Sequence, residues 1–474
     1  MLFNSIPYLF LFSITYTLYW NLESKYRKPL LICASLIFYG YFSFPFLFHF
    51  LVIISINYWF SSKLFQNKEK DLPTGKTLKT ILIINLLNLG FFKYFYFVTG
   101  SVYSISGWTD LKSWSESLSI FLPLAISFYS FQMIAIQVDI HRGILKEKIK
   151  PLDYFLFVLF FPQLIAGPIM RSQDFLPQID NPVINPDRMK KGLFLLMGGL
   201  FKKVVIAESI APIVAPIYMD PGKYDSYSLF FSTLAFASQI YCDFSGYTDM
   251  ARGSANLLGY EIPENFKGPY LSRSYKELWS RWHITLSSWL RDYLYIPLGG
   301  NEGGLLRSNL NMFLTMCLGG LWHGANWAFV AWGAYLGGFL WVERTLYFSR
   351  GKKTLLPEFP GVNLIRYAFV YFTFTLSGVF FRAAARGEES LSVAGTIIWH
   401  TLTLRSIGET LDRVDELPPL IILTLFFNYL QTTDVVYNKL KPFQNILLPF
   451  FAIATFLLMG IFGDIGGDFI YFQF

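Results

Sequence analysis

Apolar runs long enough to cross a bilayer recur along almost the whole of this chain, and they restrict its fold more than any other feature. In hydrocarbon, every backbone N–H and C=O must be satisfied within the protein, which leaves only helices and closed β-barrels. About 20 apolar residues span the ~30 Å core as a helix, and the alternating ten-residue segments of a barrel are absent. Only 15% of the 474 residues are charged and 53% are hydrophobic, against about 25% charged in soluble domains. The expected fold class is all-α and polytopic, with the lipid bilayer as its solvent.

The net charge of +7 does not indicate nucleic acid, because the lysines and arginines sit in short loops between apolar runs. That distribution marks cytoplasmic loops under the positive-inside rule. Basic loops at 23–28, 63–79 and 142–150 place the N-terminus outside and give five spans by about residue 138. The next segment, 151–169, is interrupted by Pro162, Gly167 and Pro168. A full crossing there would put the basic block at 252–309 outside, so it reads as re-entrant, which broken backbone tolerates when buried in protein. Spans at about 192–217 and 227–247 return the chain to the cytoplasm.

Residues 310–345 are mostly apolar with basic flanks (Arg307; Arg344, Arg350, Lys352, Lys353). As one helix they would be about 54 Å long, too long for one crossing. A hairpin broken near Gly319-Gly320 and Gly324 is expected. Further spans fall near 363–381, 418–430 and 446–462. The link 382–417 holds four arginines against six acids, and the tail carries Asp464 and Asp468, so both read as external. The total is about ten or eleven crossings with both termini outside. The chain divides into N-terminal helices (1–150), a central core (151–345) and C-terminal helices (346–474). The opening MLFNSIPYLFLF has no basic n-region and reads as a retained first helix. Cys33, Cys242 and Cys317 lie unpaired in apolar segments and read as packing residues, not a metal or disulfide site.

Against this background a histidine in LGGLWHGANW (318–327) stands out. His323 lies 13 residues beyond Leu310, about 20 Å along a helix. Intramembrane ionisable groups face a cavity or partner and mark function by default, and a neutral imidazole serves as a general base near pH 7. The plain structural alternative is an imidazole bonded to a carbonyl. His283 lies in a segment read as one amphipathic helix, Lys276 to Tyr295. There Trp279, Trp282, Leu286, Trp289 and Tyr293 recur at spacings of three and four, with Ser280, His283 and Ser287 on another face. An interfacial helix anchored by its aromatics and a helix with an inward functional face both fit. Asp243, Asp249 and Arg252 either pair with one another or contact substrate. His49, His141 and His400 read as solvated or interfacial. The chain has no P-loop, Gly-x-Ser-x-Gly, His-Glu-x-x-His or Cys-x-x-Cys.

The stretches FFPQLIAGPIMR (160–171), YCDFSGYTDMARGSANLLGY (241–260), PENFKGPYLSRSYKELWSRWHITLSSWLRDYLYIPLGG (263–300), LGGLWHGANWAFVAWG (318–333) and FIYFQF (469–474) together resemble the membrane-bound O-acyltransferase family, in its bacterial alginate O-acetyltransferase branch. The resemblance implies helices around a central tunnel, with His323 as the catalytic histidine and His283 as the second characteristic polar residue. Trp322, Asn326, Arg281, Trp282, Ser287, Arg291, Asp243 and Asn256 are the candidate substrate-binding residues. No metal or permanently bound cofactor is implied. The donor would be acetyl-coenzyme A or another acyl thioester, drawn in by the basic residues Arg273, Lys276, Arg281 and Arg291. The acyl group would cross the cytoplasmic membrane to a periplasmic or membrane-attached acetyltransferase partner that serves a polysaccharide. Two other readings stand: D-alanyl transfer for teichoic acids from a carrier-protein thioester, and a non-enzymatic component of a polysaccharide export complex.

Overall fold

The computed structural model describes residues 1–183, 185–351, 359–432 and 441–462. Lys352, Lys353, Asp464, Asp468 and the terminal FIYFQF block lie outside these. The described residues are helical, with no strand and one isolated bridge, Tyr224 to Glu409. Four helical stretches among them are long and apolar enough to cross a membrane: Phe44–Glu69, Gly75–Ser106, Gly361–Thr403 and Gln444–Ile461. The chain folds as two bodies. One comprises Met1–Leu196 with Met250–Pro263, the other Met197–Asp249 with Glu264–Phe474.

The first body is built from α1 (Ile6–Asn21), α2 (Ser24–Gly40), α3 (Phe44–Glu69), α4 (Gly75–Ser106), α5 (Thr109–Ser117), α6 (Ile126–Arg142), α7 (Pro151–Leu159), α8 (Ser172–Phe175) and most of α9 (Pro186–Leu200). The starts of α1 and α3 follow from local chemistry. Ser5 and Ser43 accept hydrogen bonds from the backbone N–H of Tyr8 and Phe46, with proline in the first turn of each helix, satisfying donors that a helix leaves orphaned. Buried amides join α3, α4 and α6: Asn57 and Asn85 exchange hydrogen bonds of 2.9 Å, and Gln137 donates to the Asn57 carbonyl and to Ser61, each at 2.9 Å. Such side chains bind helices where apolar surface alone gives no preference for protein over lipid.

The expected re-entrant segment takes a specific form. α7 has nine residues, about 13 Å, less than half of a hydrocarbon core. Residues 160–170 then run without regular structure and are buried throughout. Side chains serve the backbone here and at the end of α7: Phe161 N–H donates to Ser35 Oγ (3.2 Å), and Gln163 Nε2 donates back to the Phe157 carbonyl (3.0 Å).

The second body holds α10 (Glu208–Met219), most of α11 (Ser226–Leu257), α12 (Tyr275–Arg281), α13 (Ile284–Leu290), α14 (Gly304–His323), α15 (Trp327–Ser349), α16 (Pro360–Ala383), α17 (Ser390–Thr403), α18 (Leu417–Thr432) and α19 (Gln444–Phe462). Two sequence expectations are corrected here. The link 382–417 is not a plain loop, since α17 occupies 390–403. The segment 276–295 is not one helix. It breaks at Trp282–His283, where His283 adopts φ +43° and ψ +53°, and continues as a π-helical turn over Arg291–Tyr295. Ser280 is consequently exposed while His283 is buried, so they share no face. Asn265 braces the break: its carbonyl accepts from Ile284 N–H (3.0 Å), and its Oδ1 accepts from Thr285 Oγ1 (2.6 Å).

Asp243 and Asp249 also hold partners that the sequence did not suggest. They pair with two lysines on a π-helical stretch, Phe201–Ala207. Lys203 Nζ lies 2.6 Å from Asp243 and 3.6 Å from Glu208, and Lys202 Nζ lies 2.6 Å from Asp249 and 3.0 Å from Ser245 Oγ. The wider turn buries both neighbouring lysines. Gly246 permits the approach, since a Cβ there would lie 2.7 Å from the Gly199 carbonyl.

The expected hairpin is present as α14 and α15, broken at Gly324–Asn326 but not at Gly319-Gly320. Those two glycines sit inside α14. A Cβ on Gly320 would stand 2.2 Å from the Phe329 carbonyl, and one on Gly333 would stand 2.3 Å from the Met316 carbonyl. The antiparallel helices therefore touch backbone to backbone. Gly333→Leu is expected to cost about 1–3 kcal/mol through overpacking, seen as a lower melting temperature in detergent, whereas Gly338→Leu, with open space around its Cβ position, leaves it unchanged. Equal melting of the two variants would contradict the close crossing.

Candidate active site

His323 is the last residue of α14 and is 7% exposed. Its ring is walled by edge-on contacts from Trp322 (4.9 Å between centroids), Trp332 (5.0 Å) and Phe381 (5.4 Å), the perpendicular geometry that ring quadrupoles favour. The Trp332 indole donates to Ser377 Oγ at 3.2 Å, which fixes the wall's orientation. Asn326 does not face the imidazole. It caps α15 by accepting from Ala328 N–H (2.8 Å) and ties the hairpin turn to the α16–α17 connection, donating to the Gly387 carbonyl (3.0 Å) and accepting from Ser390 Oγ (2.9 Å).

His283 comes within 6.5 Å of His323, centroid to centroid, and packs against Phe244 (4.8 Å) and Trp322 (6.2 Å). It is 1% exposed, and neither ring nitrogen has a hydrogen-bond partner among the described residues. A left-handed backbone at a non-glycine residue is uncommon, and such strain concentrates at functional positions. Burial, strain and an unsatisfied imidazole thus coincide at the residue nearest in chemistry to His323.

A cavity of about 770 Å³ reaches His323. Along α14 it is lined by Met312, Thr315, Met316, Gly319, Gly320 and His323, a helical stripe about 16 Å long. Along α15 the lining runs from Trp332 through Leu340 to Glu343, Arg344, Tyr347 and Phe348. Because the two helices are antiparallel, His323 and Trp332 form one end and Glu343 to Phe348 the other. Around that other end stand Arg273, Lys276, Arg291 and Arg366, so five cations face two carboxylates, Glu277 and Glu343.

Their charges are not equally available. Arg273 and Arg281 both engage Glu277 (3.4 and 2.6 Å), and Arg291 engages Asp292 (2.7 Å). Glu343 accepts from the backbone N–H groups of Tyr275 (2.6 Å) and Lys276 (3.1 Å), docking α12 on α15. Arg344 donates only to neutral oxygens, Tyr295 Oη (3.0 Å) and Asn301 Oδ1 (2.7 Å), and Lys276 makes no ion pair among the described residues. Neither of these two holds a carboxylate at ion-pair distance among the described residues.

Of the residues singled out in the sequence, His323, Ser287, Arg273, Lys276, Arg291, Trp279 and Leu286 line the cavity, and His283, Trp282 and Trp322 are buried beside its histidine end. Arg281 acts on the lining through Glu277. Asp243 is absent from the lining and gives its carboxylate to Lys203. Asn256 belongs to the first body, against Gly192 of α9. Of the remaining histidines, His49 bonds Asn88 and His141 bonds Thr74. Sequence reading gave no site role to Arg344, Arg366, Leu290 or the stripe at 312–320. The stripe's i, i+3, i+4 spacing back from His323 was visible, but its face was not.

Residues 142–384 match the family model described as MBOAT, membrane-bound O-acyltransferase family. The chain is 38% identical over 397 residues to a protein named probable alginate O-acetylase AlgI in Azotobacter vinelandii, covering 83% of this chain and 76% of that one. The protein of the same name in Pseudomonas aeruginosa is 35% identical, covering 94% and 84%. A peptidoglycan O-acetyltransferase of Helicobacter pylori is 36% identical, covering 88% and 84%. Together with the apolar helices, these likenesses define a multi-pass membrane acyltransferase. The chain belongs to the membrane-bound O-acyltransferase family, within its alginate O-acetylase-like branch, and is an O-acyltransferase.

Proposed function

We propose that this protein takes an acetyl group from a cytoplasmic thioester, acetyl-coenzyme A, and passes it across the bacterial inner membrane. A membrane-attached or periplasmic acetyltransferase partner then uses it for O-acetylation of an extracytoplasmic polysaccharide such as alginate. The names of the relatives support the polymer class. The basic loops support a cytoplasmic donor side and external termini.

The observation that carries the donor reading is the cavity's polarity: cations at one end, a buried imidazole at the other, and an apolar stripe of Met312, Met316 and Leu340 between them. Phosphates of a thioester donor are held at the cationic end while the acyl carbon reaches His323. The imidazole takes the proton from the acceptor hydroxyl, whose oxygen attacks the thioester carbonyl. The C–O bond forms, the C–S bond breaks, and the proton passes to the leaving thiolate, giving an ester and a free thiol. Attack by His323 itself, through an acyl-imidazole, reaches the same products.

The test is acyl transfer by purified protein in vesicles supplied with labelled acetyl-coenzyme A and the partner. Thiol release that depends on the acceptor is expected. Arg344→Gln should raise KM for the donor about tenfold, the scale of one hydrogen bond to a charged group, with kcat little changed. An unchanged KM removes the mouth from donor binding, and absent thiol release from wild-type protein overturns the donor itself.

A further inference from the structure

We propose that Leu290, seated against Gly319, is the filter that restricts this enzyme to short acyl groups; the inference rests on the donor reading above.

The stripe that α14 presents to the cavity loses its side chains just before the histidine, running methionine and threonine, then two glycines, then His323. Of the two glycines, Gly320 is explained by the α15 backbone. Gly319 is not: the contact there is a side chain, Leu290 Cδ1, 3.0 Å from where a Cβ would stand. Leu290 is the last residue of α13, lines the same cavity and is 9% exposed. It fills the recess that Gly319 opens, one helical turn before His323.

Two walls there are fixed. Trp332 is held by Ser377, and the backbone crossing of α14 and α15 cannot widen. The third wall, Leu290, is an aliphatic side chain whose size sets the space beside the reacting carbonyl. With the carbonyl at His323, an acyl chain longer than acetyl that folds back toward α13 meets Leu290 and must displace it.

Reciprocal substitutions test this. Leu290→Ala removes the wall and should admit longer chains; Gly319→Ala pushes Leu290 into the remaining space and should lower transfer even of acetyl. With acetyl-, butyryl- and hexanoyl-coenzyme A, the measured quantity is the ratio of kcat/KM for butyryl over acetyl. One methylene in an apolar pocket is worth about 10–200-fold, so Leu290→Ala should raise that ratio at least tenfold, and Leu290→Val, the milder change, should raise it less. Leu290→Val also serves if the alanine variant fails to fold. A ratio unchanged in either folded variant overturns the inference while leaving the donor reading intact. No wild-type thiol release with any acyl-coenzyme A overturns the donor reading and the filter with it.

Discussion

Replacing His323 with alanine is expected to lower acyl transfer about 10²–10⁴-fold, the usual contribution of a positioned general base, while folded protein persists. The imidazole is walled by rings that pack on one another, with Phe381 in edge contact with both Phe329 (5.0 Å) and Trp332 (5.5 Å). Its removal therefore leaves a supported void beside a cavity that already exists. Transfer per folded molecule, set against the monodisperse peak on size exclusion, separates the chemical role from a structural one. A merely structural imidazole would show the opposite pattern, with stability down by about 1–3 kcal/mol and activity retained in the surviving protein. His283→Ala, beside it but outside the cavity lining, should weaken transfer by a smaller or similar factor. Near-normal turnover in His323→Ala would end the enzymatic assignment of this site.

Removing Lys203 should be the most damaging single change to stability. Its ammonium is fully buried between Asp243 and Glu208, and Lys203→Met leaves two carboxylates with their shared cation gone. Breaking a buried pair by deleting one partner costs about 3–5 kcal/mol, because the remaining charge is uncompensated. The variant is expected to yield little folded protein in detergent, whereas Lys203→Met combined with Asp243→Leu should recover a measurable part of the melting temperature. Should the single variant melt like wild type, the pair is not holding the α11 contact. Loss of transfer in well-folded Lys203→Met would instead reveal a role for Asp243 in substrate contact.

How much of this was legible beforehand depended on the range of the interaction involved. The five longer N-terminal helices (α1 to α4 and α6), the short α7 and the α14–α15 hairpin follow from runs of apolar residues and from proline and glycine within them, all local signals. His323 was conspicuous because a titratable side chain between glycines in apolar sequence has few bland explanations. The helix assigned to 276–295 failed for the converse reason. Its aromatic spacing is that of one helix, but Asn265, eighteen residues before His283, supplies the hydrogen bonds that make a break there affordable. Lys202 and Lys203 were passed over because two adjacent lysines on an ideal helix point apart, and only the π-helical turn buries both.

The amino-acid sequence by itself determined the solvent, the helical class and the histidine proposed for the chemistry, because these depend on composition and on spacing within single segments. Only the tertiary structure decided which cations face the cavity, which acids Lys202 and Lys203 neutralise, and which side chain occupies the space that Gly319 leaves. Each of those outcomes is a contact between residues far apart in the chain. Its energy exists only once the helices have packed.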